Sequence, residues 1–582
     1  MAEPAIVQTH HGRWGGAIAF FETFRRRGWF DVLLLLGCVG AIFGMLSLAG
    51  EWRTLRPAVH IDLSPSALPR YVFYSLIRGL LAYVLSLAFT LVYGYCAAKD
   101  RVAERVLVPL LDILQSIPVL GFMPGVVLAL VAVFPRSNIG LELACILMIF
   151  SGQAWNMTFS FYHSLRSIPE DQVEAAVTYR FDWWQRLKWV ELPFSTIGLV
   201  WNSMMSMAGG WFFLMITESF VLGPKDFRLP GIGSYMSVAV AKGDVRAMLW
   251  AIFAMVLMIV VLDQLLWRPV VVWSLKFRVE EGAEEQIAHS WFYDWLRKSM
   301  IIEWIDDFFT RMWQRRTIEV PLPARKEEEA SANSSSTLSL VLFVLLVATL
   351  TFGAWRLFVL LRHLPLRDYG PTLIACAWTL GRVLISTGVG TLWTLPAGLA
   401  IGLSPRLSRI FQPVVQVAAS FPAPMLFPLV IAGLKVAGVS LGWGSIVLML
   451  LGTQWYILFN VIAGAMAIPS DLREMSLSYK LGLRQRFTSL YFPAVFPYLV
   501  TGWVTAAGGA WNASIVAEYV TFKHQVMTTN GIGAQISIAA EHANFPELAA
   551  AVTAMAAVVV LFNRIVWKRL YEIAEERFSL SK

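Results

Sequence analysis

The residues of this chain that could do chemistry are carboxylates and amides in or beside long apolar segments, and the carboxylates occur as a pair. Glu218 and Glu518 each follow an apolar run, and Asn202 and Asn512 lie inside such runs. Amides can donate hydrogen bonds to an oxyanion, whereas a carboxylate repels an anion unless it is paired or protonated. These residue types predict recognition of a small solute.

The paired residues belong to an internal duplication. One polar cassette contains Ile168-Pro169, Glu174, Gln185-Arg186 and Pro193, and a second contains Ile468-Pro469, Glu474, Gln485-Arg486 and Pro493. The offset is 300 residues (469 − 169) and persists to Gly231-Ile232-Gly233 and Gly531-Ile532-Gly533. Upstream, Pro118 and Pro422 match at an offset of 304 (422 − 118), so a four-residue difference falls in an outer loop. The chain is therefore predicted to contain two equivalent units.

The composition indicates a membrane protein. Of the residues, 57% are hydrophobic and 15% are charged, and mean hydropathy is +0.61. Apolar stretches of this length predict membrane-spanning helices, which satisfy their own backbone hydrogen bonds. Twelve spans are predicted, with approximate limits 30–50, 71–98, 113–134, 140–163, 195–222, 246–275, 338–361, 373–402, 422–437, 443–465, 495–520 and 548–570.

The basic residues predict the orientation. Lys/Arg clusters such as Arg25–Arg27, Lys99–Arg105 and Lys568-Arg569 fall on one side of the predicted spans, which is then the cytoplasmic side. Both termini and both cassettes are predicted to be cytoplasmic. The net charge of +8 predicts binding to anionic lipid headgroups, and no nucleic-acid partner is expected.

Three regions follow from this layout. Residues 1–278 form the first six-span unit with the loop 165–193, and residues 337–582 form the second with the loop 466–493. Residues 279–336 form a cytoplasmic linker, in which apolar residues at helical spacing over 287–316 predict an amphipathic helix. That helix either lies on the inner leaflet or packs on the cytoplasmic ends of the bundle.

The cassette has the features of a short exposed helix between two spans. Pro169-Glu170-Asp171 places acidic residues in a first helical turn, which favours the helix dipole. Leu192-Pro193 ends the loop before the next span. A soluble partner that binds such a helix can transmit force to the membrane-spanning bundle.

The cassette resembles the signature of ATP-binding-cassette importer permeases of the MetI-like type I fold. In that family Glu-Ala-Ala is followed by a glycine and an Ile-x-Leu-Pro ending, and Glu174-Ala175-Ala176 and Val190–Pro193 match this pattern here. The resemblance implies an all-α membrane protein of two tandem six-helix repeats related by a pseudo-two-fold axis. It also implies coupling helices that dock ATPase subunits, formed by Pro169, Asp171, Glu174, Ala175, Ala176, Tyr179 and Arg180, and by Pro469, Asp471, Glu474, Tyr479 and Lys480.

Two departures from the family pattern affect the docking prediction. Arg180 and Lys480 occupy the family's glycine position, and Met475-Ser476 replaces the two alanines in the second copy. Docking on the second copy is therefore expected to be weaker or differently shaped.

A narrower resemblance is to the nitrate/sulfonate/taurine branch of the family. It is carried by Gln115–Pro118 and by the segments from Trp211 to Gly233 and from Trp511 to Gly533. This resemblance implies a small anionic solute, such as nitrate, bicarbonate, taurine or another sulfonate.

No motif for ATP hydrolysis or bond cleavage occurs in the sequence. It has no GxxxxGKS/T phosphate loop, no HExxH helix and no nucleophile elbow, and the four cysteines lie far apart. The chain is predicted not to be an enzyme and to hold neither a metal nor a cofactor. ATP and Mg²⁺ would be bound by the partner ATPase subunits.

Polar and aromatic residues in the spans are the candidates for a substrate path. They are Gln153, Trp155, Asn202, Trp211, Glu218, Gln454, Trp455, Trp511, Asn512 and Glu518. Interhelical hydrogen bonding or aromatic packing is an alternative role for each of them. For Glu218 and Glu518, that alternative is a structural or gating role.

The resulting prediction is a fused transmembrane subunit of a bacterial inner-membrane importer for a small anion or organic acid. Its expected partners are two ATPase subunits, a periplasmic or lipid-anchored solute-binding protein, the solute and membrane lipid. A twelve-helix secondary transporter is an alternative, because two parallel halves with a central loop also describe that class. A scaffold or sensor that keeps the permease fold without transport is another.

Overall fold

The computed structural model describes residues 60–116, 118–222, 225–277, 291–296, 344–345, 348, 351–522 and 525–578. The predicted span 30–50, most of the linker 279–336 and both termini lie outside the described residues. The chain divides into two units, of which the larger consists of residues 51–261 and 337–582 and holds most of both repeats. The smaller consists of residues 1–50 and 262–336.

Among the described residues of the larger unit, the first repeat contains nine α-helices and one hairpin. The elements are α1 (Leu68–Lys99), α2 (Arg101–Ser116), α3 (Val119–Val133), α4 (Ile139–Arg166), α5 (Glu170–Thr178), α6 (Trp183–Arg186), α7 (Leu192–Thr217), β1 (Ser219–Leu222), β2 (Lys225–Arg228), α8 (Ile232–Lys242) and α9 (Val245–Leu262). A π-helical turn, Leu187–Glu191, joins α6 to α7. The described helices of the smaller unit include α10 (Arg268–Ser274) and α11 (Trp291–Leu296).

The second repeat has the same order of elements. It contains α12 (Thr351–Leu361), α13 (Tyr369–Leu403), α14 (Pro405–Ser420), α15 (Phe427–Val436), α16 (Leu441–Met466), α17 (Ser470–Ser478), α18 (Leu483–Arg486), α19 (Phe492–Ala517), β3 (Tyr519–Phe522), β4 (Gln525–Thr528), α20 (Ile532–Glu541), α21 (Phe545–Phe562) and α22 (Lys568–Phe578). The π-helical turn Phe487–Tyr491 joins α18 to α19.

Eight helices in the described part of the chain are long and apolar enough to span a membrane, and three shorter apolar helices accompany them. The long spans are Pro65–Lys99, Ile139–Arg166, Trp183–Thr217, Val245–Phe277, Tyr369–Leu403, Leu441–Met466, Leu483–Ala517 and Phe545–Phe578. The prediction of an all-α membrane protein built from two repeats is confirmed.

Two details differ from the predicted spans. The span expected at 113–134 is shorter, because α2 ends at Ser116 and α3 begins at Val119, after Pro118. Proline lacks the N–H needed to continue a helix and disfavours helical backbone at the residue before it. The spans expected to end at 222 and 520 end at Thr217 and Ala517.

A short antiparallel hairpin follows each of those two spans. Ser219 pairs with Arg228 in the first hairpin, and Tyr519 pairs with Thr528 in the second. The strands have only four residues each, and their apolar residues continue the apolar run of the preceding helix. An apolar run of this length does not distinguish strand from helix by period alone.

Each repeat is organised around three long helices. In the first, α4 packs against both α1 and α7; in the second, α16 packs against both α13 and α19. The core of the second repeat includes Leu399, Ile457, Val461 and Ala494, all buried. The two repeats meet where α7 contacts α14 and the turn Ala423–Met425, and where α19 and α21 contact α3.

Candidate functional site

The first cassette loop contains a short helix with a well-defined C-terminal cap. After α5, the Arg180 N–H donates to the Val177 carbonyl at 3.0 Å and the Phe181 N–H donates to the Ala176 carbonyl at 2.9 Å. This pair of bonds is a Schellman motif, which needs a left-handed residue after the helix. Arg180 is that residue, with φ of 53°.

The second loop repeats the cap. The Lys480 N–H donates to the Leu477 carbonyl at 2.9 Å, the Leu481 N–H donates to the Ser476 carbonyl at 3.1 Å, and Lys480 has φ of 50°. The left-handed conformation explains why glycine is the residue expected here by family resemblance, since L side chains crowd the backbone in this region. This chain keeps the turn without glycine, so the backbone is strained at both Arg180 and Lys480.

Most of the predicted coupling residues are exposed. Pro169, Asp171, Glu174, Ala175, Tyr179 and Arg180 are exposed in the first loop, as are Pro469, Asp471, Glu474, Tyr479 and Lys480 in the second. Ala176 and its counterpart Ser476 lie on the buried faces of α5 and α17. The tyrosines are the most accessible apolar groups of this set, with Tyr179 76% and Tyr479 75% exposed. Both loops therefore present a polar helix edged by an aromatic ring.

Each predicted coupling helix is followed by a long helix that crosses the bundle. Asp182 caps the N-terminus of α6 by accepting from the Gln185 N–H at 2.6 Å, and the helical segment then runs from Trp183 to Thr217. At about 1.5 Å per residue, such a helix spans roughly 50 Å. One helical segment therefore connects the loop to the far end of the bundle.

An ion cluster beneath the first loop was not predicted from sequence. The Glu191 side chain is buried and lies 2.6 Å from Lys99 Nζ and 2.9 Å from Arg186 Nε. The second loop has Tyr491 at the corresponding position, and its Arg486 Nε donates to the Leu481 carbonyl at 2.7 Å instead. The two loops are thus attached differently to the bundle.

The far end of α7 is held by a buried cluster around Glu218. Its carboxylate accepts from Ser75 Oγ, Arg78 Nη1 and the Gly233 N–H, each at 2.7 Å. Arg78 also donates to both oxygens of Glu142, at 2.6 and 2.7 Å. All three charged side chains are buried. This outer clamp ties α1, α4 and α7 to the segment after the first hairpin.

The second repeat has an equivalent outer clamp with one carboxylate fewer. Glu518 accepts from Thr379 Oγ1 at 2.8 Å, Arg382 Nη1 at 2.7 Å and the Gly533 N–H at 2.9 Å. Gly442 stands where the first repeat has Glu142, and a β-carbon there would lie 3.8 Å from Arg382 Nη2. The first cluster therefore holds two carboxylates per arginine and the second holds one.

Glycine is required beside each carboxylate of the two clamps. A β-carbon at Gly231 would lie 2.3 Å from the carboxyl carbon of Glu218, and one at Gly531 would lie 2.1 Å from Glu518 Oε2.

Next to the second clamp, the Tyr519 hydroxyl donates to Glu541. Burial, together with that carboxylate, raises the pKa of Tyr519 above its usual range. Tyr519 therefore remains a neutral donor.

Sequence reasoning missed both arginines of the clamps. Arg78 and Arg382 are separated by 304 residues (382 − 78), the offset that relates Pro118 to Pro422. A charged residue inside an apolar segment is costly and normally has a partner. An arginine repeated at the offset of the duplication was the signal that could have linked these residues to Glu218 and Glu518.

Several predicted path residues lie in packed or hydrogen-bonded surroundings. Trp211 and Trp511 are buried, and a β-carbon at Gly79 would lie 2.8 Å from Trp211 Cζ3. Gln153 is also buried, and its Oε1 accepts from Ser86 Oγ at 3.3 Å. With Glu218 and Glu518 in the clamps, these five residues are enclosed by protein in this conformation.

The remaining path candidates are partly exposed. Trp155 lies against Phe89 with ring centroids 6.0 Å apart, and Trp455 lies against Trp393 at 6.2 Å. Trp393 Nε1 donates to Gln454 Oε1 at 3.1 Å. In α7, Asn202 Nδ2 donates to Ser160 Oγ and to the Gly198 carbonyl, both at 3.0 Å.

Asn512 is the path candidate that reaches from one repeat to the other. Its Oδ1 accepts from the Leu120 N–H of the first repeat at 3.4 Å, and its Nδ2 donates to the Gly508 carbonyl at 3.2 Å. Nearby contact between the repeats also involves Tyr456, whose hydroxyl would lie 3.5 Å from a β-carbon at Gly209.

In each repeat an exposed short helix is followed by a long helix that ends in a buried ionic clamp. Over the described ranges, no group of three or more His, Cys, Asp or Glu side chains is arranged to hold a metal ion.

Comparison with known proteins identifies the same fold twice. Residues 84–266 and 394–579 each match one family, described as binding-protein-dependent transport system inner membrane component. The matches lie one in each half and together cover more than half of the chain. They confirm the resemblance and the duplication, and they give no support to a secondary transporter.

Curated relatives include permeases for several anions. The chain is 30% identical over 140 residues to the nitrate import permease of Synechocystis sp., which covers 24% of this chain and 50% of that protein. It is 26% identical over 186 residues to a bicarbonate transport permease of Synechocystis sp., covering 32% of this chain and 63% of the relative. It is 22% identical over 165 residues to the taurine transport permease of Escherichia coli, covering 28% and 56%. The matches thus span 50% to 63% of the length of these relatives.

Proposed function

The chain belongs to the family of binding-protein-dependent transport system inner membrane components, and from this premise we propose that it is the transmembrane subunit of an ATP-binding-cassette importer. Both halves of the permease are present in one polypeptide. The observation that carries the proposal is the pair of exposed, capped helices α5 and α17, each leading into a helical segment that runs to an outer clamp.

Each coupling helix would dock one ATPase subunit. The exposed Glu174 and Tyr179, with Glu474 and Tyr479 in the second loop, offer charged and aromatic contacts on helices held by Schellman caps. A capped helix moves as a unit when a partner binds it. Two ATPase subunits per chain follow from the two loops, and these subunits would bind ATP and Mg²⁺, because the chain itself has no phosphate loop.

Transport would proceed by rocking the two repeats about their interface. ATP binding draws the ATPases together and moves α5 and α17, and each long helix carries that motion to its outer clamp. The clamps keep α1 and α7, or α13 and α19, together at the outer side, so each repeat moves as a rigid body. The halves then open outward, accept solute from an external binding protein and return after hydrolysis.

The proposed solute is a small anion or organic acid. The relatives' names refer to nitrate, bicarbonate and taurine import, which supports this class without selecting a member. Asn512 is our first choice for a solute contact, because it lies between the repeats and bears an amide that can donate to an oxyanion. Trp155, Trp455, Gln454 and Asn202 are further candidates along the path.

The buried carboxylates Glu218 and Glu518 are proposed to act in gating and stability rather than in solute contact. Each accepts hydrogen bonds from an arginine, a hydroxyl and a backbone N–H. Arg382 neutralises Glu518, whereas the first clamp keeps one excess negative charge because Glu142 shares Arg78. This pairing weakens the repulsion of an anion that passes nearby.

The proposed location is a bacterial inner membrane, with both termini and both loops cytoplasmic. The expected accessory partner is a periplasmic or lipid-anchored solute-binding protein. This topology is tested by labelling cysteines introduced at Thr178 and Ser478, both exposed in the loops, with an impermeant maleimide in intact and in opened cells. Labelling in intact cells would reverse the orientation.

The first experiment is gentle purification of the tagged chain from its membrane, followed by native mass spectrometry. We expect two P-loop ATPase subunits per chain. The double variant Glu174→Gln with Glu474→Gln should insert normally but retain less ATPase, whereas Glu576→Gln, an exposed carboxylate of α22, should retain the full amount. A wild-type chain that carries no ATPase in several mild detergents contradicts the proposal.

A second experiment tests transport. The purified complex is placed in liposomes with its binding protein, and ATPase activity and uptake are measured with nitrate, bicarbonate, taurine and a neutral amino acid as control. ATP-dependent uptake of one of the anions is expected. An ATPase that no solute stimulates would instead support a scaffold or sensor role.

A further inference from the structure

The two coupling loops are equal in length but opposite in charge. Residues 170–191 contain more acidic than basic side chains, with net charge −2, and the corresponding residues 470–491 have net charge +2. The first segment contains Glu170, Asp171, Glu174, Asp182 and Glu191 with Arg180, Arg186 and Lys188; the second contains Asp471 and Glu474 with Arg473, Lys480, Arg484 and Arg486.

Most of these charges lie at the surface where a partner would bind. Glu170, Asp171 and Glu174 are exposed on α5, whereas Lys480 and Arg484 are exposed beyond the end of α17. Glu191 is buried between two cations. The exposed charged residues of the first loop are four acidic and one basic, whereas those of the second loop are two acidic and two basic. The half-buried Arg473 and Arg486 make the second loop basic overall.

The loops also differ in their exposed apolar groups. Trp183, Trp184 and Trp189 are 60%, 44% and 60% exposed in the first loop. Leu483, Arg484 and Ser489 hold the corresponding positions. Indole rings attract cations through their faces. Both the acidic side chains and the tryptophans therefore favour a cationic partner surface at the first loop, whereas the second loop favours an anionic one.

We infer that the two coupling loops dock chemically unlike ATPase faces, a cationic face on loop 170–191 and an anionic face on loop 470–491. The inference rests on the proposed function, because it takes the partner at each loop to be an ATPase subunit. Complementary charge sets partner choice and association rate at protein interfaces, and juxtaposed like charges suppress the wrong pairing. The loops are consequently not interchangeable.

The test uses reciprocal exchanges of equivalent exposed residues. One variant combines Glu170→Ser with Trp184→Arg, which gives the first loop two residues of the second. The other combines Ser470→Glu with Arg484→Trp, which does the reverse. Each exchange changes the net charge of one loop by two units and leaves the buried Glu191 cluster and both Schellman caps in place.

ATPase binding at each loop is measured separately. A cysteine at Thr178 or at Ser478 reports crosslinking of the co-purified ATPase to one loop, and native mass spectrometry counts the bound subunits. Each exchange should weaken ATPase binding about tenfold at its own loop in 50 mM salt, as the loss of two surface charge contacts predicts. The difference should shrink at 500 mM salt, where exposed charges are screened.

The outcomes separate this inference from the proposed function. Wild-type affinity at both loops in both exchange variants would overturn it, and so would weakening that is the same at the two salt concentrations. A wild-type chain that binds no ATPase would contradict the proposed function itself. Insertion is checked by the yield and elution of each variant, and the four-residue combination, with both loops exchanged, should bind no better than either double variant.

Discussion

Removing one carboxylate should destabilise the two repeats to different extents, because the outer clamps differ in charge. Glu518→Gln leaves Arg382 with two neutral acceptors, the Asn530 carbonyl at 2.8 Å and Thr529 Oγ1 at 3.0 Å. Glu218→Gln leaves Arg78 with the bidentate Glu142. The first repeat therefore retains a buried ion pair after the substitution, and the second does not.

The expected magnitudes follow from that difference. Breaking a buried pair and leaving one charge unpaired costs about 3–5 kcal/mol, which we expect for Glu518→Gln. Loss of one hydrogen bond to a charged group costs about 1.5–3 kcal/mol, which sets the upper range for Glu218→Gln. The cost at Glu218 is lowered further because the cluster of Arg78, Glu142 and Glu218 becomes neutral when one of its two carboxylates is removed.

The free energy of unfolding is measured by titrating the purified chain from mild detergent into dodecyl sulfate and following tryptophan fluorescence. Glu518→Gln should unfold at a lower sulfate fraction than Glu218→Gln. The double variant Glu142→Gln with Glu218→Gln leaves Arg78 unpaired and should reach the level of Glu518→Gln. Equal destabilisation by the two single variants would contradict a difference in charge between the clamps. So would a double variant that is no less stable than Glu218→Gln alone.

Four further predictions concern other parts of the chain. Arg180→Gly should stabilise the first coupling loop by about 1 kcal/mol by relieving the left-handed strain, and Arg180→Val should destabilise it; limited proteolysis of the loop measures both. Gly533→Ala should lower the thermal stability by about 1–3 kcal/mol, because the β-carbon would lie 2.4 Å from a backbone carbonyl oxygen. Its control is Gly381→Ala, inside a helix and with nothing within 4 Å, which should not destabilise the protein. Glu191→Gln should weaken attachment of the first loop by about 1–2 kcal/mol and speed its proteolysis, since two partly exposed cations lose their buried partner; unchanged proteolysis would contradict this. Asn512→Asp should raise the KM for an anionic solute about tenfold with full ATPase assembly, measured as uptake into liposomes, and an unchanged KM would remove Asn512 from the path.

The repeats and the short helices of their cassettes could be predicted because their signals are local. Pro169 and the acidic residues after it begin α5 where a first helical turn was expected, and the constant offset placed α17 by analogy. The loop position held by Arg180 was identified from the family pattern, but its left-handed backbone follows only from the Schellman hydrogen bonds.

The clamps could not be assembled from sequence because their members are far apart in the chain. Arg78 is 140 residues from Glu218, and only the packing of α1, α4 and α7 brings them together. Glu142 had no repeated counterpart to draw attention to it. The hairpins escaped prediction for the opposite reason, since four-residue strands such as Ser219–Leu222 are too short for an alternating pattern to appear.

The presence of both repeats in one polypeptide has a consequence for how their differences are inherited. Glu142 faces Arg78 in one repeat while Gly442 faces Arg382 in the other, and Glu191 is replaced by Tyr491. Two separately synthesised subunits with these differences would pair at random, and only about half of the resulting dimers would contain one of each kind. A covalent link makes every molecule the mixed form at any expression level. Selection then acts on a mutation in one repeat always in the presence of the other repeat of the same chain. The two repeats can therefore diverge in sequence and still remain paired.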